Sequence, residues 1–180
     1  MKVLYSTLFY LALPFILIRL IWRGFKAPAY FKRWHERFGH IPSRASKQNL
    51  IWVHAVSVGE VEACRPLIKG LQDRYPEHQI LITTMTPTGS ARVESLFAEN
   101  VLHVYLPYDL PFAIRGFLDA MQPQFGIIME TELWPNLILI CAERSIPIAV
   151  ANARLSARSA RGYLKVAKLT RQMLQNIPLI

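Results

Sequence analysis

An α/β architecture, a parallel sheet wrapped by helices and preceded by one apolar helix, is what this 180-residue sequence predicts. Three observations predict it. From residue 50 onward, short apolar runs alternate five times with stretches of helical periodicity, with short links between them. The strand-like runs are apolar at consecutive positions, as strands covered on both faces are. Ahead of them, residues 3–18 form an apolar run interrupted only by Ser6, Thr7 and Pro14.

With Leu20, Ile21 and Trp22 added, that first run approaches the roughly 20 residues that a bilayer crossing needs. Arg19 is close enough to its end to snorkel to the headgroups, and Trp22 suits an interfacial belt. Pro14 would kink the helix, which membranes tolerate. A cleaved signal peptide competes, since Ala27-Pro28-Ala29 resembles a small-residue cleavage site. The charges argue against cleavage: Arg19, Arg23, Lys26, Lys32 and Arg33 follow the run, and Lys2 stands alone before it. By the positive-inside rule the rest of the chain stays cytoplasmic, so the expectation is an uncleaved single-pass anchor over residues 1–23. A helix lying in one leaflet is the lesser alternative. Residues 24–49, rich in basic and aromatic side chains, read as a juxtamembrane segment resting on anionic headgroups.

The remaining elements follow in order. Residues 50–56 predict a strand, and 61–75 a helix with Val61, Cys64, Leu67, Ile68, Leu71 and Tyr75 at helical spacing, bent by Pro66. Strand 80–85 precedes helix 89–98; strand 101–106 precedes helix 111–121; strand 125–129 precedes helix 134–145. Strand 147–151 leads into a last helix over about 156–175. Pro178, Leu179 and Ile180 look like the opening of a sixth strand, so the domain 50–180 reads as truncated.

Hydrophobic residues make up 52% and charged residues 18%, apolar for a soluble domain and in keeping with an anchor plus a doubly covered sheet. The net charge of +9 is uneven. Residues 1–49 carry nine Lys or Arg against one acid, Glu36; residues 50–151 carry six against eleven; the remainder adds six with no acid. Nucleic acid or an anionic membrane would fit such ends, and the adjoining apolar helix favours the membrane. A nucleic-acid binder would instead need its basic residues in one stripe on the body. Cys64 and Cys141 lie far apart in apolar helical stretches, as buried reduced thiols do, and nothing points to a disulfide or a metal.

In open parallel sheets ligands bind at the carboxyl ends of the strands, and every such end here is polar. Ser57-x-x-Glu60 matches a capping box, with Glu60 folding back on the backbone. Alternatively, Gly59 admits a ligand to the backbone and Glu60, held ionised by a helix N-terminus, accepts a proton. Thr86, Thr88, Gly89 and Ser90 could seat a phosphate at a helix start, helped by Arg92, or form a capped turn. Glu130 and Glu132 flank Thr131 after a buried strand, where two carboxylates repel, and Arg154 beyond Asn152 is a natural partner. His54 reads as a satisfied core histidine. The absence of GxGxxG, Walker, HExxH and Ser-His-Asp patterns weighs against dinucleotide oxidoreductases, P-loop enzymes and metalloproteases.

The segments WVHAVSVGE (52–60), TTMTPTGS (83–90), VYLPYD (104–109), METELWPN (129–136) and ANARLS (151–156) are collinear with, and resemble, the amino-terminal half of 3-deoxy-D-manno-octulosonic acid (Kdo) transferases. The resemblance extends through the anchor, and the family's second domain is absent. It implies a Rossmann-like amino-terminal domain of a B-type glycosyltransferase at the cytoplasmic face of the inner membrane, inverting and independent of metal or cofactor. This half would hold the lipid A precursor, lipid IVA, and the missing half the donor CMP-Kdo. The family's catalytic base corresponds to Glu60; Glu130, Thr131, Glu132 and Arg154 are carried over as residues that shape the site. Two rivals remain: another membrane-associated sugar transferase, and a non-catalytic, membrane-tethered module binding an anionic ligand.

Overall fold

The computed structural model describes residues 2–46 and 48–180. Lys47, counted above among the basic amino-terminal residues, lies outside them, as does the side chain of Arg158. Five parallel strands, β1 (Leu50–His54), β2 (Gln79–Thr84), β3 (Leu102–Tyr105), β4 (Phe125–Met129) and β5 (Ile148–Ala151), pair in the order β3-β2-β1-β4-β5. The order reverses between β1 and β4, which pair through Ile51 to Phe125 and His54 to Ile128. At such a reversal in an open parallel sheet, ligands bind beyond the strands' carboxyl ends.

All five residues of β1 are buried, which is why its apolar run shows no alternation. Leu50 and Trp52 pack with Phe117 and Ile114 of α6 (Pro111–Met121) and with Leu137 and Ile140 of α7 (Pro135–Glu143). Val53 faces the other layer, with Val61 of α3 (Val58–Ala63), Ile68 of α4 (Arg65–Arg74) and Val93 and Phe97 of α5 (Pro87–Phe97). Each fully buried side chain of this size contributes on the order of 1.5–3 kcal/mol.

Two expected helices are each broken. The 61–75 stretch divides at Cys64, so Pro66 falls in the first turn of α4, where its missing N–H has no intrahelical partner to lose. The last helix divides at Val166 (φ −120°, ψ 38°) into α8 (Ala157–Lys165) and α9 (Ala167–Leu174). The break turns Leu169 and Met173 onto the core, while no residue described in α8 is buried. After α9, Leu179 bridges Ala149 in parallel and accepts the Val150 N–H at 2.9 Å, so the expected sixth strand begins beside β5.

The basic segment after α1 (Lys2–Lys26) is fastened to the body. Arg33 pairs with Glu36 at 2.7 Å and donates to the His103 carbonyl at 3.0 Å. Glu36, in α2 (Trp34–Arg37), accepts the Tyr105 N–H at 2.7 Å. Arg37 is 2% exposed, donates to the Met85 carbonyl and lies over the Tyr105 ring. Arg44 donates to the Met121 carbonyl and to Gln79. The expectation that this segment rests on headgroups therefore does not extend to Arg33, Arg37 and Arg44. Their charges are spent on backbone carbonyls and acceptors of the body, contacts that residue spacing does not reveal. Gly39 seals the join: at its φ of 78° a Cβ would sit 2.2 Å from the Ala113 carbonyl oxygen.

Asp109 holds α7 from a distance. Its carboxylate, 1% exposed, accepts the N–H groups of Asn136 at 2.9 Å and Leu137 at 2.8 Å, and its carbonyl accepts the Asn136 side chain at 2.7 Å. These are N–H groups that a helix start leaves unpaired. Burial pushes the Asp109 carboxyl up to about 6, against the pull of those donors. A raised carboxyl pKa means that the fold binds a proton the unfolded chain releases. Stability from this group is therefore full below its ordinary value and declines as pH rises towards 6. Asp109→Ala should cost about 2–3 kcal/mol by orphaning two buried N–H groups, read as a lower urea midpoint at unchanged slope. A loss below about 0.5 kcal/mol, typical of a surface change, would mean that α7 does not depend on this cap.

Candidate active site at the carboxyl edge of the sheet

Beyond β1 the chain passes through Val56 into Ser57, extended at φ −121° and ψ 170°, and then into α3. Glu60, third residue of α3, folds back: Oε2 accepts the Val56 N–H at 2.8 Å and Oε1 accepts the Ser57 hydroxyl at 2.9 Å. Glu60 thus folds back on the backbone, but the expected capping box does not form: the N–H taken is that of Val56 rather than of the N-cap Ser57, and the Ser57 hydroxyl donates to the carboxylate rather than accepting from the helix. Glu60 is 7% exposed. Each carboxylate oxygen keeps a second lone pair. Gly59 is exposed, and a Cβ there would meet nothing nearer than the Ser57 Oγ at 4.0 Å, so the approach over it is open.

The expectation that a helix dipole holds Glu60 ionised is corrected. Burial raises its pKa, the Val56 N–H and Ser57 hydroxyl oppose that, and the charges of Glu130 and Glu132 raise it further. A helix of six residues has too little dipole to outweigh desolvation. Because β1 and β4 are paired neighbours, the loops that leave them adjoin at the sheet's reversal point, and the charges of Glu130 and Glu132 are felt at Glu60.

That loop leaves the sheet abruptly. Glu130 is left-handed at φ 60°, and Asn152, at the end of β5, is left-handed at φ 56°. Asn tolerates this conformation readily; a glutamate held there costs on the order of 1 kcal/mol. The Glu130 N–H donates to Ala151 at 2.8 Å, the Thr131 hydroxyl to the Arg154 carbonyl at 2.9 Å, and the Tyr163 hydroxyl to the Thr131 carbonyl at 3.1 Å. Glu132 accepts the Trp134 indole N–H at 3.2 Å. The expected pairing of Arg154 with these acids is not formed: Arg154 meets the loop through its backbone, and its exposed side chain enters none of the ion pairs among the described residues.

In the second loop, Thr86 caps α5 by accepting the Gly89 N–H at 3.0 Å, and Thr88 donates to Thr86 at 3.3 Å while remaining exposed. A Cβ on Gly89 would lie 2.9 Å from the Thr86 Oγ1 and 3.2 Å from the Val56 carbonyl, so glycine is required by packing. Ser90 accepts from Arg33 at 3.3 Å, and Arg92 pairs with Glu62. Both were expected at a phosphate seat, and both are committed to protein partners.

Sequence reasoning missed the supports beneath the site. His54 is fully buried, its Nδ1 is 2.9 Å from the Thr83 hydroxyl, its Nε2 has no protein partner, and its ring meets Trp134 edge to face. Burial lowers its pKa to about 4. Periodicity marks His54 as core, but nothing local signals the half-filled hydrogen bonding. Beside the acidic loop lies a cleft of about 780 Å³, lined mainly by apolar side chains including Leu133, Leu155, Leu164 and Leu174. Among the described residues, no three His, Cys, Asp or Glu side chains converge as metal ligands.

The family model described as 3-deoxy-D-manno-octulosonic-acid transferase (kdotransferase) matches residues 32–180, which include every site residue above. The chain belongs to the Kdo transferase family. A Kdo transferase of Haemophilus influenzae is 46% identical over 177 residues, covering 98% of this chain and 42% of that one. A probable mitochondrial Kdo transferase of Arabidopsis thaliana is 40% identical over 160 residues, covering 89% and 36%. One from Bordetella pertussis is 40% identical over 132 residues, covering 69% and 30%. The chain thus spans less than half the length of these Kdo transferases. A solved UDP-N-acetylglucosamine 2-epimerase overlays 71% of the chain, and 39% of its own, at a TM-score of 0.47 and 13% identity, too loosely to bear on function.

The raised Glu60 pKa gives this Kdo transferase domain a measurable signature. Glu132→Gln should lower it by removing a repelling charge, and Ser57→Ala should raise it by removing a donor. Carboxyl-carbon NMR titration reads both. No fall with Glu132→Gln would show that Glu60 does not feel the acidic loop, and no rise with Ser57→Ala would show that the hydroxyl does not hold its carboxylate.

Proposed function

We propose that this chain is the acceptor-binding half of an enzyme that transfers Kdo from CMP-Kdo to the lipid A precursor, lipid IVA, with inversion and without a metal or cofactor. Glu60 is the base. The observation that carries the reading is its carboxylate, held by Val56 and Ser57 just beyond β1 at the sheet's reversal point beside the strand that feeds the 130–132 loop. In the reaction an acceptor sugar hydroxyl attacks the anomeric carbon of Kdo. The new glycosidic bond forms as the bond to CMP breaks, CMP leaves with the bonding pair, and the hydroxyl proton passes to Glu60. A carboxyl raised above its ordinary range is better matched to this task near neutral pH.

The other residues take supporting parts. Ser57 and the Val56 N–H orient the carboxylate, and the openness over Gly59 admits the acceptor. Glu130, Thr131, Glu132 and Asn152 shape the wall of the crevice. Arg154 and Thr88, both exposed, are the groups that meet acceptor phosphate, the Thr86 hydroxyl and the Gly89 N–H being bonded to each other. The apolar cleft beside the acidic loop suits an acyl chain. The helix α1 is long and apolar enough to cross a membrane, which supports association with the inner membrane, body on the cytoplasmic side. A lipid-linked acceptor stays in that membrane, so the site must be held beside it. CMP-Kdo would be held by the part of the family's length that this chain does not span.

In a protein of the relatives' full length, Glu60→Gln should lower turnover of CMP-Kdo by about 10²- to 10⁴-fold, the usual range for a lost base, with thermal stability little changed. Near-normal turnover would leave Glu60 its capping role alone and favour the binding-module reading, for which its two existing hydrogen bonds speak. The wild-type rate should rise with pH through the raised Glu60 pKa, because only the ionised form accepts a proton. These 180 residues alone should not turn over CMP-Kdo; measurable transfer by the purified chain would refute the division of labour.

A further inference from the structure

Resting on the membrane reading above, we propose that α1 lies in the plane of one leaflet, clamped lengthwise to the body, rather than crossing the bilayer. The helix has two opposed stripes. Along one, Lys2, Ser6, Phe9, Leu13, Leu20 and Gly24 are buried or half-buried. Along the other, Leu4, Leu8, Leu11, Phe15, Ile18 and Trp22, spaced alternately four and three residues apart, are 55–74% exposed. That spacing sets them in one row down the helix.

The amino-terminal half of the helix is fastened to the body, and its carboxyl end packs on the turn that leads into that same body. At the amino end Lys2 pairs with Glu143 of α7, and the Ser6 hydroxyl donates to Asn136 of α7 at 2.9 Å. Farther along, the Tyr10 ring stacks on Phe112 of α6 with centroids 6.5 Å apart. At the carboxyl end a Cβ on Gly24 would lie 2.5 Å from the Phe31 ring, in the 3₁₀ turn Pro28–Phe31 that leads into the body. A 25-residue helix is about 37 Å long. A helix crossing the bilayer holds its ends on opposite sides, and one body cannot grip both.

Charge identifies the occupant of the exposed row. Arg19, Arg23 and Lys26, all exposed, run beside it at spacings of four and three, and the Lys26 ammonium lies 4.0 Å from the centre of the Trp22 ring. An apolar row edged by cations and an interfacial tryptophan fits an anionic leaflet, with the apolar side chains sunk roughly 5–10 Å to the acyl boundary. A protein partner would leave the cations without a matching anionic surface.

The test places single cysteines in the chain: Lys2→Cys at the helix start and, as reference, Asp73→Cys on exposed α4. Native Cys64 and Cys141 are fully buried with thiols pushed up to about 12, so they contribute little labelling. Inverted inner-membrane vesicles, cytoplasmic face outward, are treated with a membrane-impermeant maleimide. We expect the chain to sediment with the vesicles and both cysteines to label to the same extent. Vesicle-bound chain with Asp73→Cys labelled and Lys2→Cys protected until detergent is added would overturn this inference alone and restore the crossing helix. Chain that stays in the supernatant would overturn it together with the membrane reading.

Discussion

Where β1 ends, the Val56 peptide has lost its neighbours in the sheet, and its hydrogen bonds organise the site. Its N–H is taken by Glu60; its carbonyl accepts the Met85 N–H at 3.2 Å and lies 3.4 Å from the Thr86 hydroxyl. A peptide half withdrawn from water needs partners for its groups, so the loops after β1 and β2 are drawn to one point. The requirement also fixes Gly89, which has no room for a side chain over that carbonyl. Glu60 is consequently structural, and the proposed role as base would draw on the same placement. The bonds that finish the strand aim its carboxylate, and the burial they impose moves its protonation equilibrium.

The supports below show how the position is kept. Asp109 pins the start of α7, and α7 follows directly on the loop that carries Glu132 and Trp134. Trp134 in turn joins Glu132 to His54 in the centre of the sheet. Acids on one side of the crevice are thus set by a chain of contacts running from β3 through α7 to β1. Left-handed Glu130 and Asn152 lift the wall of the crevice out of the sheet.

Much of the fold was legible because apolar periodicity reports which faces are covered. Residues 111–121 and 125–129 coincide with α6 and β4, and the sheet's parallel character follows from the alternation. Breaks at Cys64 and Val166 were not legible, since both lie inside runs whose periodicity continues across them. In the site, the ends of β1 and β4 were recognisable as polar turns after apolar strands. Which polar atoms were free was not. Ser90 is held by Arg33 from far along the chain, Arg92 by Glu62, and Arg37 sinks beneath Tyr105. Sequence spacing carries no record of such long-range pairings. Arg154 failed in the reverse sense, its proximity to the acids in the chain suggesting an ion pair that the backbone contact replaces.

The union of α1 with α6 and α7 bears on reach. A domain on a slack tether samples many heights above its membrane, and any headgroup it can stoop to is within range. One held through such a helix would have a single altitude and a single tilt, so that under the in-plane proposal the site would meet the lipid surface always at the same level. On the proposed reading, such a domain would measure its substrate by how far the sugar stands from the acyl boundary, before any contact with the sugar itself is made.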